Sequence, residues 1–460
     1  MDKASLLNFS DKTKKFLYSD LYLAIIVLIG ALAFVLRLEK FAIIALLIVA
    51  SYNLIVVKDV LPNFIIITVI AMTPLTRYNE EGYFLPLKYA VPLVVIALII
   101  HLVIYPPKLI SKRFLLPTIL VAIAVTLGGL FSPYYMNNFK MPALYYIIAL
   151  GIGMIGVYMF FESYVEKDEY IKIYFCKMMI ALGLLGTVMV AVNYFRYAPV
   201  YSEKGFSALV NKFQFGNNLS SNLLLTMPFA FYMSTKGKHA VLYFVLGCLQ
   251  YLAMLFSLSR GGIIFSTLLA PICITLTLYY TKKDRLKILV TSLVIIVATV
   301  LPLRIFAWDF IIDITEQIDI SSGEARMNLY KLAWQNFLSY PVFGTGLGYS
   351  YPAYYYPKAW CIYWYHSTLF QILGSLGVLG IICYGYQYLV RLKTVFEYRD
   401  KFNIYVLLSF VGFEAYQLVN VGNFAPLPYV LMLIVMYIVL NRNNDLFSAV
   451  LDGRRKSISL

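Results

Sequence analysis

Residues 287–304 read KILVTSLVIIVATVLPLR, with a cation at each end and no charged or amide side chain between Lys287 and Arg304. A helix needs about 20 predominantly apolar residues to cross a hydrocarbon core about 30 Å thick. This run meets that length, and flanking cations belong where a span leaves the bilayer. Working outward, comparable runs recur at 21–37, 41–57, 59–75, 88–104, 114–131, 143–161, 170–192, 219–234, 239–257, 261–280, 366–390, 403–420 and 425–441. The second and third are short enough for re-entrant segments. The fold expected is an all-α integral membrane protein: a polytopic bundle of about 12–14 transmembrane helices with one large extracytoplasmic loop carrying short helices.

Composition agrees. Of 460 residues, 61% are hydrophobic and 13% charged, whereas soluble domains carry about 25% charged residues. A formal net charge of +15 raises the question of nucleic acid. The Lys and Arg residues are scattered at the ends of apolar runs, so they read as topology signals and no nucleic-acid partner is expected. Placing the N-terminus in the cytoplasm puts the clusters at 282–287, 391–401 and 442–456 on the cytoplasmic side, and both termini with them. Lys3, Lys12, Lys14 and Lys15 precede no short apolar core with a small-residue cleavage site, so the first span is expected to be retained. Cys176, Cys248, Cys273, Cys361 and Cys383 show no metal-type spacing, and most lie in apolar runs where Cys behaves as a small hydrophobe. Three parts follow: an N-terminal transmembrane bundle (1–304), an extracytoplasmic loop (305–365), and C-terminal transmembrane helices with a cytoplasmic tail (366–460).

The outer side then holds the segments that break the pattern of minimal connections: 193–218, 257–262 and 305–365. The last is too long and too rich in Trp and Tyr for an idle connection. Helical spacing predicts short helices over 307–318 and 324–338, the second ended by Pro341. At 257–262 the sequence is Ser-Leu-Ser-Arg-Gly-Gly. An arginine at membrane depth normally faces a partner or a polar cavity, and the glycines beside it allow a bulky anion to approach the backbone. The alternative is an Arg260 that snorkels to the interface. In the loop, Arg326 falls near the start of a predicted helix, where a cation opposes the helix dipole; it is either a surface arginine or set to another task. The run Pro341 to Gly348, PVFGTGLG, resembles a phosphate loop but lacks the Lys-Ser/Thr ending and the preceding strand, so no nucleotide site is expected. His366, one of three histidines, stands where an aromatic stretch enters a span. Imidazole suits proton transfer near neutral pH, although an interfacial histidine in an aromatic belt would look the same. Asn217, Asn218, Ser220, Ser221 and Asn222 open another span and bind either sugar hydroxyls or a neighbouring helix. Arg196, Lys204 and Lys212 add positive charge before them.

In order and placement these segments resemble the O-antigen ligase and O-antigen polymerase family of bacterial envelope proteins. The matching features are Gly216-Asn217-Asn218 opening a span, Ser259-Arg260-Gly261-Gly262 at a helix junction, and a long outer loop. That loop has Arg326, Trp334 and a Pro-x-Phe-Gly-x-Gly-x-Gly run, followed by His366-Ser367 leading into Gln371 to Gly380. One departure is Ser367, where the family commonly has Asn. The resemblance is strongest over 205–385. It implies a glycosyltransferase of the cytoplasmic membrane acting on its outer face, without metal or other cofactor. The donor is a glycan on undecaprenyl diphosphate; the acceptor is a hydroxyl of a glycan, lipid or protein. Carried over by position, Arg260 and Arg326 hold the diphosphate and His366 activates the acceptor. Arg196, Lys212, Asn217, Asn218, Gly261 and Trp334 are expected around the substrates. The family covers ligases and polymerases, which these motifs do not separate. The alternative from another class is a lipid-linked oligosaccharide flippase or other transporter, which calls for charges across the bilayer midplane.

Overall fold

The computed structural model describes residues 11–74, 90–133, 141–212, 216–306, 320–349 and 364–458. Among them every regular element is a helix. We number these α1 Asp11–Leu17, α2 Asp20–Leu36, α3 Glu39–Val56, α4 Leu61–Met72, α5 Val91–Ile104, α6 Leu115–Leu130 and α7 Ala143–Tyr164. Then come α8 Glu169–Lys212, α9 Gly216–Ser234, α10 Ala240–Leu255, α11 Arg260–Tyr280 and α12 Arg285–Phe306. The last four are α13 Ile320–Ser339, α14 Thr368–Phe396, α15 Lys401–Gln417 and α16 Leu431–Ile458. Among the described residues, each apolar run read from the sequence coincides with a helix. Six helices among the described residues are long and apolar enough to cross a membrane, or seven if α1 and α2, bent by 58° at their junction, form one span. Shorter apolar helices, α4, α5, α6 and α10, add to them.

Where the apolar side chains point identifies the solvent. On α12, built from the run 287–304, Leu286 is 72% exposed and Leu293 63%, with Leu289, Val290, Val294, Ile296, Val297 and Val300 also outward. A contiguous apolar face of that kind is untenable in water and natural in hydrocarbon. At the other extreme, α9 is buried without interruption from Leu219 to Ser234. It is the central column of the bundle, in contact with α8, α10, α11 and α15. Its polar residues lock helices together: Asn222 donates to the Leu182 carbonyl (3.2 Å), and Thr226 donates to Gln250 (2.9 Å).

The glycine-rich run 341–348 has a structural task that sequence reading leaves open. Helix α14 is broken at Gly377, which takes φ 62°, ψ −155°, a conformation essentially confined to glycine. A break there frees the carbonyls of Gly374 and Ser375 and the N–H groups of Val378 and Leu379, the four partners of two lost i to i+4 bonds. Loop 341–346 supplies all four. Thr345 and Gly346 N–H donate to the Gly374 and Ser375 carbonyls (2.9 Å each); the Pro341 and Val342 carbonyls accept from Val378 and Leu379 (2.8 and 3.2 Å). Non-helical backbone at membrane depth is tolerated only when protein satisfies it in this way. The loop is tied in turn to α6, through Ser132 Oγ to the Thr345 carbonyl and Tyr349 Oη to the Gly129 carbonyl (2.6 Å each).

Three expectations change. Residues 193–212 form no loop: α8 runs unbroken through Pro199 to Lys212, because a proline deletes one backbone bond and bends a helix without having to end it. The loop helix starts at Ile320, ahead of 324, and ends at Ser339. That puts Arg326 in its second turn, where the dipole penalty has largely faded. The predicted helix 307–318 and the aromatic stretch 350–363 lie outside the described residues. At the bundle end away from α13, buried polar contacts pin the helices, led by the ion pair of Arg442 with Glu162 (2.8 Å). Arg113 forms a bidentate pair with Glu397 at that same end.

Candidate active site

Four chain segments meet at the other end of the bundle: the start of α9, the start of α11, the end of α15 with the turn after it, and residues 364–368 leading into α14. At α11, Leu258 takes φ 59° and turns the chain so that Ser259 becomes the N-cap. Ser259 Oγ accepts from the Gly262 N–H (3.2 Å), satisfying one of the donors a helix start leaves open. Arg260 is thus the first helical residue, with its side chain exposed.

The glycines after it do not open the backbone to a ligand. A Cβ on Gly262 would stand 2.2 Å from Ser220 Oγ, and one on Gly261 2.7 Å from the Tyr416 ring. They are small so that α9 and α15 can pack against the α11 start. The expected reason for these glycines, close approach of an anion, gives way to helix packing.

The same contact builds a polar knot. Ser259 Oγ donates to Asn217 Oδ1 (2.8 Å), and Tyr416 Oη lies 2.9 Å from Ser259 Oγ and donates to Asn217 Oδ1 (3.0 Å). Beside it, Gln417 and Asn420 both donate to Ser221 Oγ (3.2 and 3.1 Å). Tyr429 Oη donates to the Asn218 carbonyl (2.6 Å). The turn after α15 also reaches α14, because Thr368 Oγ1 donates to the Asn420 carbonyl (3.3 Å). Asn217 and Asn218 are therefore fixed by protein contacts on the side facing α15.

Thr368 opens α14 two residues after His366. His366 is partly buried and takes φ 53°. Its carbonyl accepts from Tyr330 Oη of α13 (3.4 Å). Its Nδ1 is buried and has no hydrogen-bond partner among the described residues. Burial, reinforced by the Arg326 guanidinium, holds the His366 imidazole below its ordinary value, so the neutral form that accepts a proton is favoured. Burial raises the Tyr330 phenol, and Arg326 works against that rise. Tyr330 thus links α13, the helix that carries Arg326, to the backbone of His366.

The other expected residues fall differently. Arg196 turns to the end of α2: its guanidinium donates to the Phe34 and Val35 carbonyls and lies 4.7 Å from the Phe34 ring centroid. There it caps carbonyls that a helix end leaves open. Trp334 is 48% exposed on α13, its ring 5.4 Å from Phe337. Lys204 and Lys212 lie on the last turns of α8, and their side chains are outside the described residues. Sequence reasoning missed Tyr416 and the turn after it. The signal was present in Glu414, Tyr416, Gln417 and Asn420, polar groups close together in an apolar run, which mark a buried polar surface in a membrane helix.

Comparison with known proteins bears on the same segments. Residues 242–385 match the family model described as O-antigen ligase, a stretch running from α10 into α14 and containing Arg260, Arg326, Trp334 and His366. Asn217, Asn218, Arg196 and Tyr416 lie outside it. No curated protein and no solved structure matches the chain. The segment that carries Arg260, Arg326 and His366 is thus the part of this multi-pass membrane protein that is similar to the O-antigen ligase family.

Proposed function

We propose that the chain transfers a glycan from undecaprenyl diphosphate to an acceptor hydroxyl at the outer face of a bacterial cytoplasmic membrane, with inversion and without a metal. The observation that supports this reading is the setting of His366: its carbonyl accepts from Tyr330 of the helix that carries Arg326, and its buried Nδ1 has no hydrogen-bond partner among the described residues. In the reaction, the acceptor oxygen attacks the anomeric carbon and its proton passes to the His366 imidazole. The bond from that carbon to the diphosphate oxygen breaks, and its electron pair leaves on the diphosphate. Charge grows on the leaving group, where guanidiniums at Arg260 and Arg326 stabilise it through charge-assisted hydrogen bonds. A base so placed contributes about 10²- to 10⁴-fold. Attack opposite the diphosphate inverts the anomeric centre. Both termini are placed in the cytoplasm on the cation distribution, which puts this end of the bundle outside.

A gene deletion restored with wild type, His366→Ala, Arg260→Ala or Arg326→Ala tests the reading on gels of envelope and lipid-linked polysaccharide. Variants that insert normally and fail to complement support it. Single repeat units accumulating on the lipid then identify a polymerase; full-length lipid-linked chains missing from their acceptor identify a ligase. Normal patterns from all three variants would refute it.

One observation favours the transporter alternative: Arg391 and Glu414 form a buried ion pair, 3.9 Å apart, inside the bundle. The space beside it argues against transport. The cavity lined by Arg391, Gln387, Asn423 and Thr118 measures about 30 Å³, room for water and not for a sugar.

A further inference from the structure

A non-glycine residue with positive φ is uncommon and costs energy unless its surroundings hold it there. His366 is such a residue, so the contacts that fix it can be sought. They converge on its neighbour. Tyr365 is 1% exposed, and its Oη accepts from Asn336 Nδ2 of α13 (2.6 Å). Its N–H donates to Gln371 Oε1 of α14 (2.9 Å), and Gln371 Nε2 donates onward to Ser375 Oγ (2.8 Å). The ring lies over Gly374, where a Cβ would come 2.8 Å from Tyr365 Cε2. On the far side of His366, the Ser367 carbonyl accepts the Gln371 N–H (2.8 Å) as α14 begins. Tyr330, whose hydroxyl reaches the His366 carbonyl, stacks on Phe370 at 4.4 Å and 7°.

Asn336 and Gln371 are buried amides, 8% and 1% exposed. Buried amides cost stability unless their bonds are made; packing alone would be served by Leu or Met. Instead both are aimed at the one residue that precedes the imidazole. Asn336 shares α13 with Arg326, so the bond from α13 to Tyr365 seats His366 against the helix that carries the guanidinium.

We propose that Asn336 and Gln371 are positioning residues which, through Tyr365, clamp the left-handed backbone of His366 and hold its imidazole in register with Arg326. This rests on the reading of His366 as the acceptor base. The clamp undergoes no chemical change. It sets the base where a displacement of about 1 Å would cost roughly 10²-fold in rate.

The test uses membranes of the deletion strain carrying each variant, their own envelope acceptor, and lipid-linked glycan extracted from that strain as donor. Asn336→Leu, Gln371→Met and Tyr365→Phe are each expected to lower kcat about 10- to 100-fold, with KM for the donor changed less than about 2-fold. Adding Asn336→Leu to His366→Ala should leave the residual rate unchanged, because a residue acting only through the base has nothing left to lose. Detergent-extracted monodispersity reports folding; if Asn336→Leu fails there, Tyr365→Phe, which keeps the ring, carries the same test. Wild-type rates in Asn336→Leu and Tyr365→Phe, with His366→Ala inactive, would overturn the clamp and leave the base standing. Additive losses in the double variant would overturn it too. An active His366→Ala would remove the base and the clamp together.

Discussion

The Arg391–Glu414 pair gives a stability prediction that can be worked from its geometry. The guanidinium and carboxylate lie 3.9 Å apart with side chains 7% and 15% exposed. Glu414 Oε2 accepts from Tyr388 Oη and Asn423 Nδ2 (2.6 Å each), and Asn423 also donates to Tyr388 (2.9 Å). The guanidinium lies 5.5 Å from the Tyr437 ring centroid. Glu414→Leu leaves a buried cation with no counter-charge, and a guanidinium does not escape by losing its proton. Breaking a buried pair from one side costs about 3–5 kcal/mol. Arg391→Leu is milder, because the carboxylate keeps its two donors and a lone buried carboxyl can take a proton; about 1–3 kcal/mol is expected, the range for an unsatisfied buried group. The double variant removes both charges and leaves Asn423 bonded to Tyr388, so it should fall within about 2 kcal/mol of wild type, as apolar replacements of buried pairs do. The assay is equilibrium unfolding of detergent-solubilised protein in mixed micelles of rising SDS content. Equal losses in the two single variants would refute the reasoning, as would a double variant that loses the sum of both.

Other outcomes follow from the site and the broken helix. The acid limb of the transfer rate should fall below the ordinary histidine value of about 6.5. Removing the nearby cation with Arg326→Gln should move that limb upward while lowering the rate, and a pH–rate profile that stays in place would contradict the coupling. Gly377→Ala puts a Cβ 2.5 Å from the Pro341 carbonyl oxygen at a backbone conformation reserved for glycine. It should cost at least about 2 kcal/mol and reduce the folded yield. Gly385→Ala, later on α14 with no atom within 4 Å of its added Cβ, should be neutral or stabilising by up to about 1 kcal/mol; detergent melting curves separate the two. Tyr416→Phe removes one donor from Asn217, which keeps its bond from Ser259. A loss of about 0.5–1.5 kcal/mol is expected in melting, with a larger fall in transfer measured on the same membranes.

Helix positions were legible because each crossing must bury a long apolar run, and that requirement is written locally. Arg260, Arg326 and His366 stood out as candidates for a related reason: a cation or imidazole at a span end needs an explanation that packing alone does not give. What stayed hidden depends on pairs distant in the chain. Nothing local to Gly377 says that α14 breaks there, since isolated glycines are common in membrane helices. The break becomes intelligible only when loop 341–346 is seen to supply the four missing backbone partners. Tyr416 is hidden in the same way, lying 157 residues from Ser259. Arg196 shows the opposite failure. Its charge suited an anion, but the nearest unsatisfied groups were the carbonyls ending α2, and a cation goes first to the acceptors within its reach.

These long-range pairings also account for how a membrane site can be stiff on one side and open on the other. The Asn217–Ser259–Tyr416 knot and the broken-helix pairing with loop 341–346 use backbone groups, two short polar side chains and one packed phenol at distances of 2.8 to 3.2 Å. Ser259, Tyr416, Gly344 and Thr345 are buried within them, and both are anchored to helices. Arg260 and Trp334, by contrast, extend outward. In the proposed transfer a bulky glycan donor and its acceptor need room to enter and leave, which favours long side chains at the entrance. The reacting centre needs an acceptor base fixed to within a fraction of an ångström, which favours short ones beneath it. His366 stands at that boundary, its carbonyl held by Tyr330 and its Nδ1 left without a described partner. In the proposed mechanism its backbone belongs to the rigid layer and its imidazole to the reacting one.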